Sequence, residues 1–173
     1  HGEIADQLTP RPIAALQGVR VGTVAAGEFH SLAVSTAGRL YSFGTGPEGA
    51  LGHGEGANRH TPQLVAALQG VRVLAVAAGR CHSLALSEAG QVYSFGSGVC
   101  GQLGHGDTAD QLTPHMIAGL QGVRVRSVAV GGNTSLAVTT GREAYGWGCG
   151  VGVDGMPDPV LGLELTANQL VPR

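Results

Sequence analysis

Lysine is absent from this sequence of 173 residues, only 7 side chains are aromatic, and long hydrophobic runs are missing. The ten basic residues are all arginine, and 12 Asp and Glu give a formal net charge of −2. No general attraction to nucleic acid or anionic lipid is therefore expected. No apolar run approaches the roughly 18 residues that a membrane-spanning helix needs. Three cysteines without a Cys-x-x-Cys pair support neither a zinc site nor a disulfide framework.

Glycine is abundant, with 30 residues, and it recurs at fixed intervals. The segment Gln17–Val21 is repeated at Gln69–Val73 and at Gln121–Val125, an offset of 52 residues each time. Residues 1–52 and 53–104 are identical at 33 of 52 aligned positions without a gap. The chain is therefore a tandem repeat, and its glycines belong to a regular plan.

The repeat divides the chain into units that we treat as one partial domain over residues 1–173. The third unit loses the pattern near its end, and Ala167–Arg173 resembles Ala5–Arg11, the start of a further copy. A protease-site linker ending in Leu-Val-Pro-Arg is the alternative for this last segment. His1-Gly2 falls inside a repeated motif, so we expect a fragment of a longer repeat protein. The units are 1–52, 53–104, 105–166 and the start of a fourth at 167–173.

Each unit contains short apolar runs separated by turn residues. Val21–Ala26, Ser31–Ser35 and Leu40–Gly44 are typical of strands, and the brief run Ile13–Leu16 is assigned as the fourth. Ser35–Gly38 predicts a tight hairpin turn with glycine in the left-handed conformation. Four antiparallel strands per unit predict an all-β β-propeller blade, with small residues on its crowded inner strand. A β-solenoid is the alternative, although its repeats are usually shorter.

The order Val-Ala-Ala-Gly, His-Ser-Leu-Ala, Tyr-Ser-Phe-Gly and Leu-Gly-His-Gly occurs in residues 24–54 and again in 76–106. This order resembles the repeat of the regulator of chromosome condensation (RCC1) family, and the resemblance covers residues 1–148. The resemblance implies blades of a propeller that typically has seven. About three units cannot close such a ring, which predicts a partial, open propeller or a fragment of a seven-bladed one. Bare strand edges would then need further blades or a partner to cover them.

Residues that are repeated from copy to copy are expected to hold the blades together. His30 and His82 have two interpretations, a ligand or proton shuttle and a turn side chain that hydrogen-bonds the blade backbone. The second is favoured because Thr134 replaces histidine in the third copy. A metal site is not expected, because equivalent positions of adjacent blades are too far apart for one ion. The structural set is Gly27, His30, Gly44, His53, Gly79, His82, Gly96, His105, Gly131 and Gly148.

Chemistry-bearing motifs are otherwise missing from the sequence. There is no nucleophile elbow, phosphate-binding loop or paired carboxylate motif, so we expect neither an enzyme nor a cofactor. Cys81, Cys100 and Cys149 are interpreted as free thiols, which favours an intracellular reducing compartment. A single disulfide between Cys81 and Cys100, whose loops are expected on one surface, stays an alternative.

Positions that differ between copies are candidates for binding a partner. They concentrate in the connections between the first and second and between the third and fourth strands, which emerge on the same face of a blade. Neutral drift of exposed loops is the competing explanation. The candidate partner-binding residues are Glu28, Phe29, Pro47, Glu48, Arg80, Cys81, Val99, Cys100, Asn133 and Asp154.

The resemblance offers several functions, which the sequence narrows. Nucleotide exchange on a small GTPase is the founding activity of the family, and Asp154 and Asp158 give it limited support. Ultraviolet sensing by a plant member uses clustered tryptophans, whereas this chain has only Trp147. Contact with chromatin or RNA is disfavoured by the net charge. We therefore predict a non-catalytic scaffold whose partners are proteins, namely further blades or assembly subunits, with the exchange factor as the alternative.

Overall fold

A computed structural model describes residues 8–149 and 169–172 of the chain. Within these ranges the chain forms three antiparallel sheets, each a simple meander in which consecutive strands pair. The helical segments among the described residues are three-residue 3₁₀ turns, and none is long and apolar enough to cross a membrane. The turns are Ala14–Leu16, Pro47–Gly49, Ala66–Leu68 and Ala118–Leu120.

Each sheet is one propeller blade. The boundaries of the blades do not coincide with those of the 52-residue sequence units that begin at His1. The fourth strand of a blade comes from the sequence unit that follows its first three strands. Blade 1 comprises β1 (Val21–Ala26), β2 (His30–Ser35), β3 (Leu40–Gly44) and β4 (Arg59–Leu64). Blade 2 comprises β5 (Val73–Ala78), β6 (His82–Ser87), β7 (Val92–Gly96) and β8 (Gln111–Met116). Blade 3 comprises β9 (Val125–Gly131), β10 (Thr134–Thr139) and β11 (Ala144–Gly148).

The fourth strand is not where the sequence pattern placed it. Ala14–Leu16 forms a 3₁₀ turn, and the strand is Arg59–Leu64, just before the equivalent turn. This segment contains Pro62, and proline usually signals a break in a strand. It is tolerated because β4 is the outer strand of its sheet, where the missing N–H is not needed for a ladder.

The last described residues dock as the beginning of another outer strand. Gln169 pairs with Gly148, as Gln111 pairs with Gly96 in blade 2. The backbone N–H of Gly106 donates to the Leu170 carbonyl over 3.0 Å, and Gly54 donates to Leu112 over 2.9 Å. Gln169 and Leu170 thus have the position relative to blade 3 that Gln111 and Leu112 have in blade 2.

The inner strands β1, β5 and β9 lie side by side, and small residues permit their approach. A Cβ added at Gly27 would stand 2.3 Å from the Gly79 carbonyl oxygen. Backbone hydrogen bonds also cross between blades here, from Glu28 N to Gly79 O at 3.2 Å and from Arg80 N to Gly132 O at 3.0 Å. The predicted need for small side chains on the inner strand thus has a direct steric cause.

Bulkier side chains fill the two junctions between blades farther from the inner strands. Trp147 in blade 3 is fully buried and donates its indole N–H to the Gln102 carbonyl over 2.9 Å. Phe95 has the equivalent position in blade 2 and is also fully buried. The junction between blades 1 and 2 buries Leu32, Val34, Leu40, Val65, Leu68, Val73, Ala85 and Phe95. The junction between blades 2 and 3 buries Leu84, Leu86, Val92, Ile117, Leu120, Val125, Ala137 and Trp147.

The predicted hairpin turns are confirmed. Gly38 and Gly90 have φ of 78° and 82°, and Gly38 N donates to Ser35 O over 2.8 Å. Arg142 takes the same conformation in blade 3, with φ of 70°. An L-residue with a side chain adopts this left-handed region at a cost that glycine avoids.

The outer faces of blades 1 and 3 are less covered than the equivalent surfaces inside the stack. Val21 is 38% exposed, whereas the equivalent Val73 is 2% exposed. Leu136 is 40% exposed, whereas the equivalent Leu84 is completely buried. The described residues thus form an open stack with apolar end faces, as the repeat count predicted.

Candidate partner-binding face

The connections β1–β2 and β3–β4, with their equivalents in blades 2 and 3, form one surface that we call the loop face. Its long connections are held by side chains at equivalent positions. Asn58 Oδ1 accepts the Gly46 N–H over 3.0 Å, and Asp110 Oδ1 accepts the Gly98 N–H over 2.8 Å. Anchored in this way, the loops present their variable residues on a fixed support.

Five of the predicted binding residues meet where blade 1 joins blade 2. Phe29, Pro47, Glu48, Arg80 and Cys81 line one small cavity on the loop face. Phe29 is 45% exposed, so a large part of its ring is available to a partner. We call these five residues the first junction cluster. Thr45 and Ala50 complete the lining.

An ion pair lies beside this cluster and links the two blades. Arg80 Nε lies 3.6 Å from Glu28 Oε2, and both side chains are about half exposed. Exposed pairs of this kind contribute about 0–1 kcal/mol to stability. Glu28 and Arg80 are therefore available for exchange with charged groups of a partner at little cost.

A different set of side chains occupies the junction between blades 2 and 3. Asn133 Nδ2 lies 3.8 Å from Cys100 Sγ, and Cys149 N donates to Asn133 O over 3.1 Å. Val99 stands beside them and is 61% exposed. Asp154 lies outside the described residues. The structure therefore brings the other nine predicted binding residues to the two junctions of one face.

Two thiols on this face, those of Cys81 and Cys100, are poor nucleophiles. Burial, with Glu48 nearby, raises the pKa of Cys81. Burial and a hydrogen bond with Cys149 raise the pKa of Cys100 to about 11. A thiol in this state is protonated at neutral pH, and the thiolate is the reactive form. None of the three cysteines forms a disulfide, and Cys100 has both Cys149 and Asn133 as neighbours.

His30 and His82 do not lie in turns and do not bond the blade backbone directly, which corrects this part of the sequence interpretation. His30 and His82 are the first residues of β2 and β6. His30 Nε2 lies 2.7 Å from Ser83 Oγ in the next blade, and Ser83 Oγ donates to Ala50 O over 2.8 Å. The same relay joins His82, Ser135 and Gln102, at 2.9 and 2.8 Å.

His53 and His105 make a second pair of relays, within their own loops. His53 Nε2 lies 3.0 Å from Ser42 Oγ, which donates to Leu51 O over 2.7 Å. The equivalent relay in blade 2 is made by His105, Ser94 and Leu103. These contacts fasten the β3–β4 connections to the strands beneath the loop face.

The relays determine the protonation of their histidines. Each serine has one hydrogen, which goes to a carbonyl, so His Nε2 must be the donor to Ser Oγ. The Nδ1 atoms of His30 and His82 are then unprotonated acceptors, buried without a hydrogen-bond partner. Burial lowers the pKa of both rings to about 4, and His30 adds to the effect on His82. Neutral imidazoles with occupied Nε2 atoms are suited to joining blades, and they lack the free proton donor of a shuttle.

Sequence reasoning overlooked the serines that complete these relays. Ser42, Ser83, Ser94 and Ser135 are fully buried. The sequence could have indicated these serines, because the His-Ser and Tyr-Ser pairs recur with the same 52-residue offset as the histidines. Among the described residues no group of three or more His, Cys, Asp or Glu side chains is placed to hold a metal ion.

Fold and repeat chemistry together define a class, the β-propeller built from four-stranded blades with His-Ser relays between them. The profile described as the regulator of chromosome condensation (RCC1) repeat matches residues 37–86 and 89–138, and a second profile of that description matches 23–50 and 73–102. The chain belongs to the RCC1 repeat family.

Curated relatives show how widely this repeat is used. The chain is 40% identical to the ultraviolet-B receptor UVR8 of Arabidopsis thaliana over 151 residues, which cover 87% of this chain and 34% of the receptor. It is 38% identical to the human E3 ubiquitin-protein ligase HERC2 over 146 residues, which cover 82% of this chain and 3% of the ligase. The chain thus spans about a third or less of these relatives.

The fold agrees with a solved propeller of the same family. The structure of Prp20p from Saccharomyces cerevisiae, described with its binding to Gsp1p and histones, matches with a TM-score of 0.76 and 28% identity. The match covers 88% of this chain and 37% of Prp20p. Human WBSCR16 matches with a TM-score of 0.73 and 28% identity, over 88% of this chain and 37% of that protein.

Proposed function

We propose that this chain is a non-catalytic module of a larger protein or assembly and that its loop face binds a partner protein. One observation carries the proposal. The framework is nearly the same in successive copies, whereas several of the residues that differ meet at the blade junctions of one face. Phe29, Cys81 and Asn133 occupy one repeat position and are an aromatic ring, a thiol and an amide. Such variation on a fixed support allows each junction to contact a different feature of a partner.

The composition of the loop face supports a protein partner. Phe29 and Val99 are exposed apolar side chains, and Glu28 and Arg80 supply charge beside Phe29. Interfaces usually combine a few apolar or aromatic anchors with a polar rim. Prp20p is described as binding the proteins Gsp1p and histones, and HERC2 is a ubiquitin-protein ligase. These relatives support a binding role for the repeat but do not identify the partner of this chain.

Site-specific photo-crosslinking tests whether the loop face is the binding surface. A photoreactive phenylalanine analogue is placed at Phe29 in one variant and at Leu74 in another. The two side chains are 45% and 49% exposed, and Leu74 lies in β5 away from the loop face. We expect the Phe29 variant to crosslink a defined protein in extracts of the producing cells, and Arg80→Glu added to that variant to reduce its recovery. Equal crosslinking from Leu74, or unchanged recovery with Arg80→Glu, would contradict the proposal.

An exchange factor for a small GTPase is the second candidate, favoured by the structural likeness to Prp20p and its described binding to Gsp1p. The test is release of a fluorescent guanine nucleotide from a panel of small GTPases, with and without the chain. Substantial acceleration that Arg80→Glu or Phe29→Ala abolishes would establish the exchange function and refute a pure scaffold. Release at the intrinsic rate for every GTPase tested would remove this candidate.

A further inference from the structure

Charged side chains separate onto opposite ends of the blades. Among the described residues, the loop face carries five carboxylates and Arg80, with Arg59 at the start of β4 paired with Glu55. The opposite end consists of the β2–β3 hairpins and the connections that enter each first strand, and we call it the hairpin face. It carries Arg20, Arg39, Arg72, Arg124 and Arg142 against Glu88 and Glu143. The carboxylates of the loop face are Glu28, Glu48, Glu55, Asp107 and Asp110.

The arginines of the hairpin face recur with the repeat. Arg20, Arg72 and Arg124 occupy the same position in successive copies, and all three are exposed. Arg72 Nε lies 3.0 Å from Glu88 Oε1, with both side chains at least half exposed. This exposed pair shows that a guanidinium on this face is positioned to bind a carboxylate, and an incoming carboxylate could replace Glu88 at little cost.

A groove lined by both polar and aliphatic residues lies beside the arginines at each blade junction. The groove between blades 1 and 2 has a volume of about 280 Å³ and the one between blades 2 and 3 about 230 Å³. Their floors are equivalent, with Leu40, Val65 and Leu68 in one and Val92, Ile117 and Leu120 in the other. Leu64 and Met116 stand at equivalent edges and are 40% and 38% exposed. Arg39 and Arg72 border the first groove and Arg124 borders the second.

We propose that the hairpin face binds an acidic protein segment. Aliphatic side chains of the segment enter the two grooves, and its carboxylates pair with Arg39, Arg72 and Arg124. Charge complementarity selects an anionic partner, and the aliphatic floors select a protein over a nucleic acid. None of the residues lining the grooves is aromatic, so no ring is available to stack on a base. This site is separate from the loop face and extends beyond the function proposed above.

Fluorescence anisotropy with a labelled synthetic peptide tests the proposal. The probe contains leucines flanked by glutamates, and the comparison peptide has lysine in place of each glutamate. We expect the acidic peptide to bind, with an affinity that falls as salt is raised. Arg72→Glu and Arg124→Glu should each weaken binding roughly three- to tenfold. Leu64→Asp should weaken it as well, because a carboxylate would enter the apolar edge of the groove.

Arg80→Glu is the matched control, because Arg80 is 51% exposed and Arg72 is 50% exposed, yet Arg80 lies on the loop face. Circular dichroism melting shows whether each variant is folded, and Arg72→Gln replaces Arg72→Glu if that variant is not. Equal weakening by Arg80→Glu, or equal binding of the lysine peptide, would overturn the proposal. So would preferential binding of a DNA duplex that displaces the acidic peptide at the same salt concentration.

Discussion

Removing the Ser83 hydroxyl should weaken the contact between blades 1 and 2 and lower the free energy of unfolding. Ser83 is fully buried, accepts a hydrogen bond from His30 Nε2 at 2.7 Å and donates one to Ala50 O at 2.8 Å. Ser83→Ala would leave a buried N–H and a carbonyl without this partner, in a region that water does not reach. Leaving a buried polar group unsatisfied costs about 1–3 kcal/mol. With two groups affected, the free energy of unfolding should fall by about 2–6 kcal/mol.

Equilibrium unfolding in urea, followed by circular dichroism, measures this loss. Ser31→Ala is the matched control, since Ser31 has the same repeat position in blade 1 and is only half-buried on the uncovered end face. That variant should change the free energy of unfolding by less than about 0.5 kcal/mol. A double-mutant cycle with His30→Ala should show coupling, because one relay contains both side chains. Equal effects of Ser83→Ala and Ser31→Ala, or strict additivity with His30→Ala, would refute the relay as a blade-joining element.

Three further predictions concern acid, glycine and the single tryptophan. The pKa of His30 and His82 is about 4 in the folded chain against 6.5 unfolded, so the unfolded state binds more protons between these values. The free energy of unfolding should therefore fall as pH drops from 6.5 to 4, by roughly 3 kcal/mol per histidine. Urea titrations at the two pH values should show a smaller fall in this free energy for the double variant His30→Thr, His82→Thr. Gly96→Ala should lower the melting temperature more than Gly70→Ala. Both glycines have positive φ, but only at Gly96 would a Cβ lie 2.4 Å from a backbone oxygen, that of Cys81. Equal effects would contradict the steric explanation. Trp147→Phe should lower the free energy of unfolding by only about 1 kcal/mol in the same melts. Gln102 O keeps its hydrogen bond from Ser135, and phenylalanine occupies this position in the other copies. A loss of the native signal would contradict this expectation.

Sequence periodicity was sufficient for the blade plan but not for its outer strand. Short apolar runs placed the first three strands of each blade within a residue of their observed bounds. The fourth strand escaped detection because Arg59–Leu64 is polar, contains proline and lies largely exposed at the edge of its sheet. An edge strand is specified by its neighbour more than by its own pattern, so a hydrophobicity signal is weak there.

The binding-face residues could be grouped from topology alone, since alternate connections of a meander emerge at the same end. Their contacts could not be predicted. That Phe29 shares a cavity with Arg80 and Cys81, and that Cys100 approaches Asn133 and Cys149, depends on how neighbouring blades pack. The backbone partner predicted for His30 was wrong for the same reason, because its partner is Ser83 in the next blade, 53 residues away.

The net charge does not describe how charge is distributed over the surface of this chain. A net charge averages over the whole surface, whereas a partner responds to the local field of the face that it approaches. In a meander blade, connections alternate between two ends, so charges placed in alternate connections become segregated in space. Arg20, Arg72 and Arg124 recur in connections of one end, and most carboxylates of the described residues lie in those of the other. A chain with a formal charge of −2 therefore presents an arginine-rich surface, and the repeat that builds the blades also determines where that surface lies.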